Sequence, residues 1–203
     1  MKISDDFVSA FQSEPENSSS SATDYFRPKS VEPGKPAVFA LLEEDPCEWY
    51  LVWGTPVAGG NNKPFRFLEK PSDEDIELEL GKAYTRALNY EKTDTDKIYK
   101  CLTFPIFNWE LGVVQVFEIP QISIAKQFYT YGTEKAYRNK LLDYDFKLEK
   151  EITGGKTKYN LRVIPRDDEE HDDLVMQKEW KRVQKAGFDL NRLLTDGNPF
   201  SEN

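Results

Sequence analysis

The chain has 203 residues, of which 38% are hydrophobic and 13% aromatic, enough for one packed body with extensions, and its formal net charge is -9. Two cysteines and one histidine, with no Cys-x-x-Cys and no second histidine, exclude the usual zinc frameworks and a disulfide scaffold. No segment reaches the ~20 apolar residues of a membrane span, and the N-terminus lacks an apolar signal core, so the expected location is the cytoplasm.

The charge is unevenly spread. Residues 1–60 hold 4 basic and 10 acidic side chains, residues 61–79 hold 3 and 6, residues 80–166 hold 15 and 10, and residues 167–203 hold 5 and 10. A mildly basic middle therefore lies between acidic ends.

Residues 1–36, with Ser18–Ser21 and three prolines before Pro36, read as a disordered acidic arm. Order is expected from Pro36. Ala37–Leu42 and Glu48–Trp53 are short apolar runs, Ala58–Asn62 is a turn signal, and Pro64–Leu68 alternates at period two. Residues 71–82 predict one short exposed helix with Ser72 as N-cap and Gly81 near its end; its acids form a solvated face. Lys97–Trp109 is the longest strand signal, with Ile98, Leu102, Phe104 and Ile106 on one face and Tyr99, Cys101, Thr103, Phe107 and Trp109 on the other. Glu110–Gly112 turns it into Val113–Ile119.

Residues 121–142 read as a helix whose inner side carries Ile122, Ile124, Ala125, Phe128, Tyr129 and Tyr131, with Gly132 as its weak point. Tyr144–Ile152 and Lys156–Ile164 form a second hairpin about Gly154-Gly155. Asp167–Asp173, six acids and His171, reads as a linker. Leu174–Ala186 is helical, closed by Gly187. A short amphipathic segment and a loose tip complete the chain. This order predicts a mainly β fold: a five-stranded OB-like barrel with a plugging helix and extra N-terminal strands over 37–166, then an acidic helical tail over 167–203.

No phosphate-binding glycine loop and no Gly-x-Ser-x-Gly occurs, and the lone His171 lies in an acidic run. Asp143 and Asp145 share a predicted strand face, where exposed carboxylates are common and catalytic ones rare. A non-enzymatic protein without cofactor or metal is expected. Binding residues are better represented. Single-stranded nucleic acid is held by bases stacked on aromatic rings and by cations tracking the backbone. Trp53, Lys63, Arg66, Lys82, Tyr84, Arg86, Tyr90, Lys97, Tyr99, Lys100, Phe107, Trp109, Lys156, Lys158 and Arg162 supply that mixture. The competing expectation for Trp49, Phe65, Phe67 and Trp109 is burial in a core.

The pattern from Trp49-Tyr-Leu-Val-Trp-Gly through Pro64-Phe-Arg-Phe-Leu, Leu102-Thr-Phe-Pro-Ile-Phe-Asn-Trp, Val114-Gln-Val-Phe-Glu-Ile, Asp143-Tyr-Asp-Phe and Gly154-Gly-Lys-Thr-Lys-Tyr resembles the single-stranded DNA-binding proteins of tailed bacteriophages. The resemblance covers about residues 48–166 and is one of layout. It implies an OB-fold core that coats single-stranded DNA in replication or recombination. It also implies an acidic tail that recruits polymerase, helicase or primase, with Trp180, Leu193, Leu194, Asp196 and Phe200 as the partner-binding residues. Cys101 stands alone, which excludes the family's zinc-bearing form, and Phe200 is not terminal. The alternative is a non-enzymatic protein–protein module, a phage regulator or an accessory or virion component.

Overall fold

The computed structural model describes residues 24–89, 91–167 and 169–200. Among them, eight strands and three α-helices make a mainly β protein whose strand ladders are antiparallel. Among the described residues no helix is long and apolar enough to cross a membrane. In place of one body over 37–166, the chain forms two compact units: Glu48–Cys101 with Asn191–Asn198, and residues 24–47 and Leu102–Leu190 with 199–200.

In the first unit, β2 (Cys47–Pro56) pairs with β3 (Lys63–Phe67) and with β4 (Tyr84–Arg86). Gly54 belongs to both ladders, and a Cβ there would meet the Phe65 ring at 2.6 Å and Leu80 at 2.7 Å, so the close approach needs glycine. Helix α1 (Asp73–Leu80) starts at a capping box in which Ser72 and Asp75 each accept the other's backbone N–H. Gly81, at φ +58, ends it. The helix buries Ile76 and Leu80 against Val52 and Phe65.

The second unit contains β1 (Ala37–Leu41), the last seven residues of β5 (Tyr99–Asn108), β6 (Val113–Ile119), α2 (Ile122–Thr133), β7 (Tyr144–Thr153), β8 (Lys156–Pro165) and α3 (Asp173–Lys185). The strands lie in the order β6-β5-β1-β7-β8. Among the described residues no ladder joins β6 to β8, so hydrogen bonds do not close the expected barrel. Gly154 and Gly155, at φ +59 and +74, make the two-residue turn from β7 to β8. One sheet face packs Phe39, Phe104, Phe117, Phe146 and Leu148 against Ile124 and Phe128 of α2. The other face presents Ala40, Phe107 and Val114, which Met176 and Val183 of α3 cover. The free edge of β8 is protected by α2: the Gln127 side chain accepts from Leu161 N–H and donates to Tyr159 C=O, and the Tyr131 hydroxyl donates to Leu161 C=O.

Three expectations change. Order is present from Asp24 rather than Pro36. Tyr25 bridges Val116, Phe26 and Val31 are buried, and the Phe26 ring lies 4.8 Å from that of Phe117, because this apolar pair completes the core. Residues 1–23 of the expected disordered arm lie outside the described residues. The second helix ends at Thr133, not at 142. Its Ile122 and Tyr129 face outward because helical spacing puts them on one stripe with Lys126 and Thr133, away from buried Ile124 and Phe128. The last helix closes as expected: Gly187 takes φ +87, its N–H donates to Gln184 C=O, and Phe188 N–H donates to Val183 C=O.

Candidate functional site

Alternation along β7 puts Asp145 on the sheet face that α3 covers, beside Ala40 of β1. Its carboxylate is 0% exposed. Trp109 Nε1 donates to Oδ1 at 2.9 Å, Arg166 Nε donates to the same oxygen at 3.0 Å, and His171 Nδ1 lies 2.6 Å from Oδ2. The Arg166 side chain, 7% exposed, also donates to Asp173 Oδ1 at 2.5 Å and to the carbonyls of Leu142 and Tyr144 at 2.8 and 3.1 Å. The His171 ring stacks on Trp109, with centroids 4.6 Å apart and planes 12° apart. A buried carboxylate without partners would cost several kcal/mol, roughly the 3–5 kcal/mol of a broken buried pair, so this one is fully engaged.

His171 was expected in a loose acidic linker, and Asp145 on an exposed strand face beside Asp143. The structure corrects both. The linker folds onto the sheet because Asp145 draws Arg166 and His171 inward, and Asp143 belongs to a 3-10 turn (Leu141–Asp143) ahead of the strand. Among the described residues no hydroxyl or thiol hydrogen-bonds His171. The cluster fixes the start of α3. Beside it is an open cleft of about 620 Å³ lined by Leu42, Leu142, Tyr144, Arg166, Met176 and Trp180. Among the described residues no His/Cys/Asp/Glu group is arranged to hold a metal ion.

The residues expected to contact nucleic acid fall into three groups. In the first unit most cations already have partners. Lys63 stands over the rings of Phe65 and Tyr84 at 5.0 and 5.5 Å and pairs with Asp196. Arg66 donates to Leu193 C=O at 3.3 Å. Arg86 pairs with Asp73 at 2.9 Å and donates to Asp96 C=O. Lys100 pairs with Glu48 at 2.6 Å. Lys97 lies 4.8 Å from the Tyr99 ring, and the Tyr99 hydroxyl donates to Asp96. Burial, reinforced by the Asp96 charge, pushes the Tyr99 phenol well above its ordinary pKa. Lys82 is exposed, and Trp53 is buried and so offers no ring to a base.

In the second unit Phe107 is buried under α3, and Trp109 is held between Asp145 and His171; neither ring stands free on the surface. Lys156 and Lys158 are exposed, and among the described residues neither pairs with an acid; Arg162 is exposed and lies 3.3 Å from Glu149. Tyr90 lies outside the described residues.

Of the expected partner-binding residues only Leu193 is fully buried, Trp180, Leu194 and Phe200 are half-buried, and Asp196 is exposed. Trp180, Phe188 and Phe200 stack edge to face at 5.3 and 5.0 Å. Asp196 meets Lys63. The cations of α2 and the segment after it, Lys126, Lys135, Arg138 and Lys140, were not among the expected contacts and are all exposed. The signal was available: residues 122–142 hold four basic side chains and only Glu134 as an acid. Comparison of the chain with protein-family models, curated proteins and solved structures gives no match.

Proposed function

We propose that this protein binds single-stranded DNA through its second unit, as a non-enzymatic coat for single strands in phage-type replication or recombination. The observation that carries the reading is the strand order β6-β5-β1-β7-β8 with α2 between β6 and β7. An OB barrel has the same plan: its first strand lies between the second and fourth, the fifth pairs with the fourth, and a helix follows the third. On this plan β7 and β8 form the hairpin whose loop helps bind ligand, and Lys156, Lys158 and Arg162 line that hairpin. The outer face of β5 and β6, the other ligand surface of such barrels, lies under α3. In this reading the C-terminal region competes with DNA there, while Asp196 and the Leu193 carbonyl occupy Lys63 and Arg66. Recruitment of replication proteins by the tail is part of the same proposal.

The test replaces Lys158 and Arg162 by Glu in the full chain and measures binding to a single-stranded oligonucleotide at about 50 mM salt. The reading expects affinity to fall about tenfold or more, since two backbone contacts become repulsive. Unchanged affinity would remove the hairpin from the binding surface. A protein-docking reading is favoured by one observation, the exposure of Leu174 and Val175 on the outer side of α3. Loss of a partner protein on Leu174→Asp, with DNA binding intact, would support it.

A further inference from the structure

The segment after α2 is a basic knuckle held by backbone hydrogen bonds and ring contacts. Glu134 C=O accepts from Tyr137 N–H and Arg138 N–H, Tyr137 C=O accepts from Lys140 N–H, and Asn139 takes φ +59. The Tyr137 ring sits between those of Tyr131 and Tyr144, at 5.6 and 5.3 Å, each edge to face. Tyr131 is itself tied to β8 through its hydroxyl. The one aromatic of the segment thus serves as an anchor, and Lys135, Arg138 and Lys140 are all turned to solvent. Among the described residues none of the three pairs with an acid. That contrasts with the first unit, where Lys63, Arg86 and Lys100 are each neutralised by a carboxylate. Three unneutralised cations within six residues, in a chain of net charge -9, favour a polyanion. Their loop needs no ordering on binding because Tyr137 already fixes it.

We infer that Lys135, Arg138 and Lys140 form a phosphate-contacting site for the backbone of single-stranded DNA. This rests on the function proposed above and adds a surface to it. With the β5–β6 face covered by α3, the knuckle and the β7–β8 hairpin each present exposed cations on the second unit, as α3 does through Lys178, Lys181 and Lys185.

The experiment titrates the full chain with an oligo-dT of about 30 nucleotides at several salt concentrations. Lys135→Glu/Arg138→Glu is compared with the parent and with Lys70→Glu/Lys92→Glu, which changes net charge equally at exposed positions in the first unit. The inference expects the knuckle variant to bind about tenfold or more weakly at low salt, with a log–log salt slope shallower by about 1.4, some 0.7 for each lost contact. The control variant should keep the parent's slope. Parent-like affinity and slope in the knuckle variant, with the parent binding, would overturn this site alone. Equal weakening in both variants would reduce it to a net-charge effect and overturn it too. Absence of binding by the parent would overturn the proposed function, and the knuckle with it.

Discussion

Two rows of side chains cross the same face of the second unit's sheet and have opposite fates. The row Asp145, Ala40, Phe107 and Val114 runs over four paired strands and is sealed beneath α3. Two residues along β7, the row containing Lys147 and Arg162 stays wet, with Glu149 as the shared counter-charge. Strand alternation sets which side chains share a face. It does not say how far a helix from another part of the chain will extend over that face. The difference teaches that an aromatic on a predicted outer strand face need not be exposed, as buried Phe107 and the engaged Trp109 show.

The strongest way to break the comparison is Asp145→Ala. It removes the common acceptor of Trp109, Arg166 and His171 and leaves Arg166 buried without its main counter-charge. Denaturant unfolding should show a loss of about 3–5 kcal/mol. A loss below about 1 kcal/mol would mean that α3 is held by its apolar contacts alone.

Phe107→Ala sharpens the same contrast. As a core residue under α3 it should cost about 3–5 kcal/mol in unfolding free energy. With α3 still seated on that face, oligonucleotide affinity measured well below the melting range should stay near that of the parent. Reduced affinity with unchanged stability would return Phe107 to the ligand surface. Gly187→Ala should cost about 1–2 kcal/mol, because the residue closing α3 sits at φ +87. Lys158→Glu/Arg162→Glu should show the smallest stability change, within about 0.5 kcal/mol, while carrying the loss of DNA binding. A large stability loss in that variant would show that these charges hold the sheet together.

Much of the local structure was legible. Ser72 and Gly81 bracket α1 because a hydroxyl cap and a left-handed residue are local devices. Gly154-Gly155 marks the β7–β8 turn for the same reason. Long-range choices were not legible. Nothing near Ala37–Leu41 says that this strand pairs with both β5 and β7, residues far along the chain. Nothing near Phe26 says that its ring will complete a core between Phe39 and Phe117. His171 reads as a linker residue until the fold brings Asp145 to it from 26 positions away. The candidate site divides in the same way. Lys156, Lys158 and Arg162 could be read from alternation in β8, whereas the covering of Phe107 and the anchoring of Tyr137 depend on packing between distant segments.

Single-strand binding is tested most directly with the chain's four tryptophans. Their fluorescence would be followed as the full protein is titrated with an oligo-dT of about 30 nucleotides, at about 50 mM and about 200 mM salt. Saturable binding is expected at the lower salt, weakening by about tenfold or more at the higher as backbone contacts compete with counterions. No binding at the lower salt, confirmed by an unchanged anisotropy of a labelled oligonucleotide, would contradict the claim and leave the exposed face of α3 as the surface to pursue.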